Sequence, residues 1–306
     1  MRLYVVALQE AKGFHALLLS AQYRKKRGWC LLALLCLLTT NACTSVFAHH
    51  LSQTNHSTRA SLTSFQNLIE RERAKLSSSD QEERRAAVLR LGAIASPEAS
   101  RLASTALSDA SAIVRATAAR AVLALPPAEA ATLLLPLLRD RDEFVRREAA
   151  YALGLTRSGS TVPALIEFLE RDKNAGVRGA AAVALGQIAD PLAVPALAQT
   201  VTRQVRGSGF FSKVTRRRTK ENEFVRRAAA RALGEIGDRR AAPALIAALV
   251  NERSGDDVRR EAARSLGGVG DPAAIPALRA VLDARDPYLA RAADESLRKL
   301  SPTQTP

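Results

Sequence analysis

The chain has 306 residues, a formal net charge of +15, 47% hydrophobic residues and only 4% aromatic ones. That hydrophobic share excludes wholesale disorder, because disordered chains lack the apolar surface that offsets the entropy of ordering. Cys30, Cys36, Cys43 and the four histidines, His15, His49, His50 and His56, all precede residue 57. The remaining body therefore has no disulfide, thiol nucleophile, Cys or His metal site, or Ser-His-Asp dyad or triad.

The first predicted element is an export segment over residues 1–48. Arg24, Lys25, Lys26 and Arg27 precede an apolar run from Trp29 to Leu38, followed by small and polar residues. A basic stretch, a short apolar run and a small-residue zone make a secretory signal. Two cuts compete. Ala42-Cys43-Thr44-Ser45 resembles the end of a bacterial lipoprotein signal with Cys43 as the lipidated residue, although Thr40 and Asn41 depart from that pattern. Val46-Phe47-Ala48 fits an ordinary signal peptidase site. An uncleaved anchor is a third reading, since Trp29 to Ala48 carries no charge. All three place the body outside the cytoplasm, periplasmic or membrane-anchored facing the periplasm. Residues 49–79 read as a linker and a helix near Leu62 to Leu76, with Phe65, Leu68 and Ile69 on one face to cap the first repeat.

A repeat then organises residues 80–300, leaving a short tail at 301–306. The block Val145-Arg146-Arg147-Glu148-Ala149-Ala150-Tyr151-Ala152-Leu153-Gly154 recurs at Val177, Val225 and Val258, with weaker copies at Glu83, Val114 and Leu289. Successive starts lie 31 to 33 residues apart, except for one step of 48 from Val177 to Val225. Asp80, Ser111, Asp142, Asn174, Asn222 and Asp286 stand three residues before a start, where a side chain caps a helix N-terminus. Gly92, Gly154, Gly186, Gly234 and Gly267 fall nine positions after a start, suiting a tight exit after about three turns or close helix packing. Pro163, Pro195, Pro243 and Pro276 open a second apolar stretch, where proline forfeits no helical bond. Each unit is a helical hairpin whose apolar faces are covered only by its neighbours, so the fold class is all-α. The architecture is an α-solenoid of about six to seven hairpins.

The strings Val225 to Asp238 and Asp271-Pro272-Ala273-Ala274-Ile275-Pro276-Ala277-Leu278 resemble HEAT repeats of the phycobilisome-lyase-like subtype, and the resemblance spans Asp80 to Leu300. It implies that Arg146, Arg178, Arg226 and Arg259, with Asp190, Asp238 and Asp271, form a structural ladder tying repeats together. It also places the residues two and six after each start toward a concave surface. Eight of those fourteen positions are arginines, which makes a basic stripe including Arg120, Arg147, Arg227, Arg231, Arg260 and Arg264, with Tyr151 among them. Such a stripe suits an acidic protein. The competing reading is a solvated face in which Glu148, Glu261 and Glu295 neutralise the charge.

The long step adds a basic insertion, residues 203–220, in which a glycine turn flanked by Val205 and Val214 predicts a small hairpin. Phe210, Phe211, Arg216, Arg217 and Arg218 are its candidate contacts, against the alternative of a solvated loop. No catalytic constellation stands out, no metal or cofactor is expected, and export argues against nucleic acid. The sequence thus predicts a non-catalytic extracytoplasmic scaffold that binds an acidic protein partner, with membrane attachment through its N-terminus. The alternative is an accessory factor of the bilin-lyase or chaperone type.

Overall fold

A computed structural model describes residues 66–206 and 218–300, with side chains throughout except at 204–220. The export segment with Cys43, the insertion tip with Phe210, Phe211, Arg216 and Arg217, the side chain of Arg218, and the tail lie outside that description. A short helix α1 (66–75) leads into six helical hairpins. The first helices of the hairpins are α2 (Gln81–Ile94), α4 (Ala112–Ala121), α6 (Glu143–Thr156), α8 (Ala175–Ile188), α10 (Glu223–Ile236) and α12 (Asp256–Val269). The second helices are α3 (Pro97–Ser104), α5 (Pro127–Leu134), α7 (Val162–Arg171), α9 (Val194–Thr202), α11 (Ala242–Val250) and α13 (Ile275–Arg279). A lone first helix, α14 (Pro287–Leu300), comes last. Each first helix packs on the first helix of the next hairpin, giving an α-solenoid.

The caps act as their chemistry requires. Asp80, Asp142, Asn174 and Asn222 accept backbone N–H groups at the starts of α2, α6, α8 and α10, whereas Ser111 makes no such bond. Pro163, Pro195, Pro243 and Pro276 sit in the first turn of α7, α9, α11 and α13.

The helix ends differ from expectation. Five of the first helices run for 14 residues before the last helix is counted, about four turns rather than three. They continue past the repeated glycines and leave through left-handed residues, Ala95, Arg157, Ala189, Gly237 and Gly270. The repeated glycines fit the second of their two readings, close helix packing, rather than a tight exit. A Cβ on Gly154 would lie 2.7 Å from Cα of Ala184, and one on Gly186 would lie 2.8 Å from Cα of Ala232. Small residues such as Ala150, Ala181 and Ala229 are fully buried along the same stack. Leucines including Leu153, Leu165, Leu185 and Leu197 fill the space between first and second helices.

Three further features bear on the candidate site. In α1, Ile69 and Glu72 are buried while Leu68 is 39% exposed, so the face turned inward is Ile69 and Glu72 rather than Leu68 and Ile69. Glu72 accepts Lys75 at 3.0 Å and Arg90 of α2 at 3.0 Å, which fixes α1 on the first hairpin. At the long step, strands β1 (Gln204–Arg206) and β2 (Arg218–Lys220) pair antiparallel, with Val205 opposite Thr219 rather than Val214. On α14, Arg291–Glu295 and Arg298–Asp294 pairs give one face a polar character. Among the described residues, no helix is long and apolar enough to cross a membrane.

Candidate functional site: buried and exposed arginines

The fourth residue of every first helix from α2 to α12 is an arginine: Arg84, Arg115, Arg146, Arg178, Arg226 and Arg259. Side chains in a first turn lean back toward the helix N-terminus, so these guanidinium groups reach the turn that leads into their own helix. Arg115 donates Nε and Nη2 to the Asp140 carboxylate at 2.7 and 2.8 Å, and Nη1 to the Asp109 carbonyl at 2.8 Å. Arg146 repeats this with the Asp172 carboxylate, at 2.8 and 3.2 Å, and the Asp140 carbonyl, at 2.9 Å. Arg178 does so with the Glu221 carboxylate, at 3.1 and 2.6 Å, and the Asp172 carbonyl, at 2.7 Å. Arg84 opens the series on Asp109 at 2.7 and 2.9 Å.

These residues form one relay through successive turns. The aspartates also cap: Asp109, Asp140 and Asp172 accept the backbone N–H two residues on, at 2.8, 2.9 and 2.8 Å, which sets the start of the next first helix. Arg84 holds the Asp109 carboxyl below its ordinary pKa. Burial opposes ionisation of Asp140, but the bonds from Arg115 and the Asp142 backbone N–H, with the charges of Arg115 and Arg141, together outweigh it and the pKa falls there too. Bidentate pairing of a fixed fork with a carboxylate is what makes such shielded pairs tolerable.

The relay ends at the insertion. Glu221, 3% exposed, directly follows β2, and its backbone N–H donates to the Arg203 carbonyl at 3.1 Å, so the two ends of the insertion close on each other at the last acid. Arg226, 5% exposed, then donates Nε to the Val201 carbonyl at 2.8 Å and Nη2 to Ser254 Oγ at 3.0 Å. It bonds no carboxylate among the described residues, and burial pulls its pKa down. Arg259 donates Nε to the Leu249 carbonyl at 3.0 Å, again with no carboxylate among the described residues.

The structure thus brings Arg146, Arg178, Arg226 and Arg259 to equivalent places but separates them from Asp190, Asp238 and Asp271. Those three begin the 3-10 turns inside the hairpins and accept the backbone N–H groups of Leu192, Arg240 and Ala273 at 2.9, 2.8 and 2.9 Å. The reason is directional: the arginines point to the turn between hairpins, and these aspartates lie at the opposite helix end. The true partners carry a sequence signal, since Asp109, Asp140 and Asp172 each stand five residues before a block start.

The exposed arginines are held differently. Arg120 and Arg147 lie 4.0 and 3.8 Å from the same Glu148 carboxylate, and Arg147 covers the Phe144 ring at 5.0 Å. Arg227 pairs with Asp257 at 3.3 Å, Arg231 with Glu235 at 2.8 Å and Arg264 with Glu261 at 3.5 Å. Arg260 bonds Asp286 at 2.6 Å and Asp257 at 3.0 Å, and lies over Tyr288 at 5.3 Å. Tyr151 is half-buried against the core rather than free at the surface. Arg120 and Arg231 remain two-thirds exposed, so these are surface pairs. Among the described residues, no group of three or more His, Cys, Asp or Glu side chains could hold a metal ion.

Comparison with known proteins agrees with the architecture. No curated protein sequence matches the chain. Among solved structures, the Escherichia coli protein YibA is 21% identical with a TM-score of 0.54, over 78% of this chain and 82% of that one. The CpcE–CpcF complex of phycocyanin lyase from Nostoc sp. is 23% identical with a TM-score of 0.46, over 76% of this chain and 94% of that one. Human deoxyhypusine hydroxylase in complex with glycerol is 20% identical with a TM-score of 0.37, over 80% and 99%. The family model for HEAT repeats matches residues 72–154, 132–207 and 214–298, which takes in every hairpin described above. By this match and by its stacked hairpins, the chain belongs to the HEAT-repeat proteins.

Proposed function

We propose that this protein is a non-catalytic accessory factor that holds a protein partner on the exposed face of its first helices. The observation that carries the reading is the contrast in how its arginines are held. Arg84, Arg115, Arg146 and Arg178 are locked by bidentate bonds to carboxylates, whereas Arg120, Arg227, Arg231 and Arg264 make single surface pairs that a partner's carboxylates can replace at small cost. An acidic partner surface is the finer form of the proposal, because multidentate guanidinium contacts favour carboxylates.

The direction of the pKa shifts supports a binding role. General acid–base chemistry needs a carboxyl raised toward neutrality. Here the carboxyls of Asp109, Asp140, Asp238 and Asp286 all move down, toward permanent charge. For Asp238 and Asp286 the leading causes are the bonds from Arg240 and Arg260. Action outside the cytoplasm, with the chain anchored through Cys43 or released after Ala48, is part of the proposal and rests on residues 1–48 alone.

The test is capture by crosslinking with the full chain as bait in its own cells, comparing wild type with an Arg227→Glu/Arg231→Glu double variant of unchanged helicity. A partner enriched by the wild type and lost in the variant supports the reading. Equal recovery by both overturns it.

A further inference from the structure

The second break in the relay coincides with a cleft. At the three upstream turns the residue five before the block start is Asp109, Asp140 or Asp172, and its carboxylate fills the fork of the preceding arginine. Before Leu289 that position is Ala284. Arg259, the arginine that such an acid would engage, is occupied among the described residues only at Nε, by the Leu249 carbonyl at 3.0 Å. Arg259 and Ala284 both line a cleft of about 940 Å³ between α12 and the turn entering α14, together with Arg285 and Tyr288. Asp286, which follows Arg285 in the same turn, is already engaged by Arg260 at 2.6 Å, and Asp283, next to Ala284, makes no ion pair with Arg259 among the described residues.

We propose that this cleft is a binding site for one side-chain carboxylate of a protein partner, which enters where Ala284 leaves out the relay's aspartate and completes the fork of Arg259. The remaining nitrogens of Arg259 and the Arg285 side chain supply donors, and Tyr288 supplies a wall for the apolar stem of the incoming residue. Glu252, Asp256 and Asp283 also border the cleft, so a run of acidic residues is repelled while a single acid among neutral or basic neighbours is accepted. The site does not depend on the exposed arginine face and stands whether or not that face binds a partner.

The experiment is calorimetric titration of the full chain with three short Gly/Ser peptides. One is amidated and carries a single internal aspartate, one is amidated without it, and one has a free C-terminal carboxylate and no aspartate. The aspartate peptide binds saturably, the neutral peptide does not, and Arg259→Gln weakens binding about ten-fold or more, as loss of a charge-assisted bond requires. Ala284→Asp restores the missing acid in the chain itself, so it abolishes binding and raises the melting temperature. Binding that survives in a folded Ala284→Asp variant, no binding of the aspartate peptide, or binding of the free C-terminus alone overturns the proposal.

Discussion

The first four hairpins and the last two place an arginine at the same helical position and then treat it differently. Arg84, Arg115, Arg146 and Arg178 each close on a carboxylate from the next turn. Arg226 and Arg259 close on backbone carbonyls, with Ser254 helping the former. The contrast separates two jobs that a repeated residue can do. The carbonyls tie Arg226 and Arg259 back to the preceding hairpin, and Ser254 gives Arg226 a neutral link to the following turn, but only the acids make that forward link ionic. The relay therefore makes the N-terminal four hairpins one electrostatically continuous block, and the insertion marks where that block stops.

The contrast breaks most sharply if one acid is removed. Asp172→Ala leaves Arg146, whose side chain is only 7% exposed, without its carboxylate and also frees the Asn174 N–H. Stranding a buried charge costs about 3–5 kcal/mol, and chemical denaturation of the purified chain measures it. Ser254→Ala removes one neutral acceptor from Arg226 and costs less, about 1–3 kcal/mol. Equal losses from the two variants would show that the acids do no more than the serine.

Much of this plan is legible in the sequence, and the omissions have physical causes. The period, the N-terminal caps and Pro163, Pro195, Pro243 and Pro276 announce the hairpins because each reports a local backbone requirement. Gly154 and Gly186 invite reading as helix ends, yet they lie inside helices, since a glycine that admits a neighbouring backbone looks the same in sequence as one that turns a chain. The arginines are visible, but the family resemblance assigns their partners to the wrong turn. Only the lean of first-turn side chains distinguishes Asp140 and Asp172 from Asp190 and Asp238. Glu221 is harder to find, because the hairpin at 204–220 shifts the acid to four residues before its block start, where a longer side chain makes up the distance.

The glycines offer a second break. Gly154→Ala brings a Cβ to 2.7 Å from a backbone atom of α8, whereas the equivalent Cβ at Gly92 meets its nearest neighbour at 3.1 Å. Overpacking of this kind costs about 1–3 kcal/mol, with Gly92→Ala at or below the bottom of that range. Thermal melts of the two variants rank them, and an unchanged Gly154→Ala melt would mean that the stack yields without strain.

Acid sharpens the same contrast. Asp109 and Asp140 have folded pKa values below the ordinary aspartate value of about 3.9. The stability they contribute is whole above that ordinary value and is lost as pH falls through their folded pKa values. Asp140→Asn therefore lowers stability at neutral pH but gives a shallower decline below about pH 4 than wild type. Parallel acid limbs for the two proteins would contradict the ionised relay.

The smallest stability effect belongs to the exposed arginines, and there the small size is itself the discriminating observation. Arg231 is 67% exposed and pairs with Glu235 one turn away. Such a pair contributes about 0.3–0.5 kcal/mol on a helix and is screened by salt. Arg231→Gln should leave the melting temperature nearly unchanged while weakening partner capture, and added salt should weaken capture by the wild type in the same way. A large loss of stability would instead place Arg231 with the buried set, as a support of the stack rather than a surface held ready for exchange.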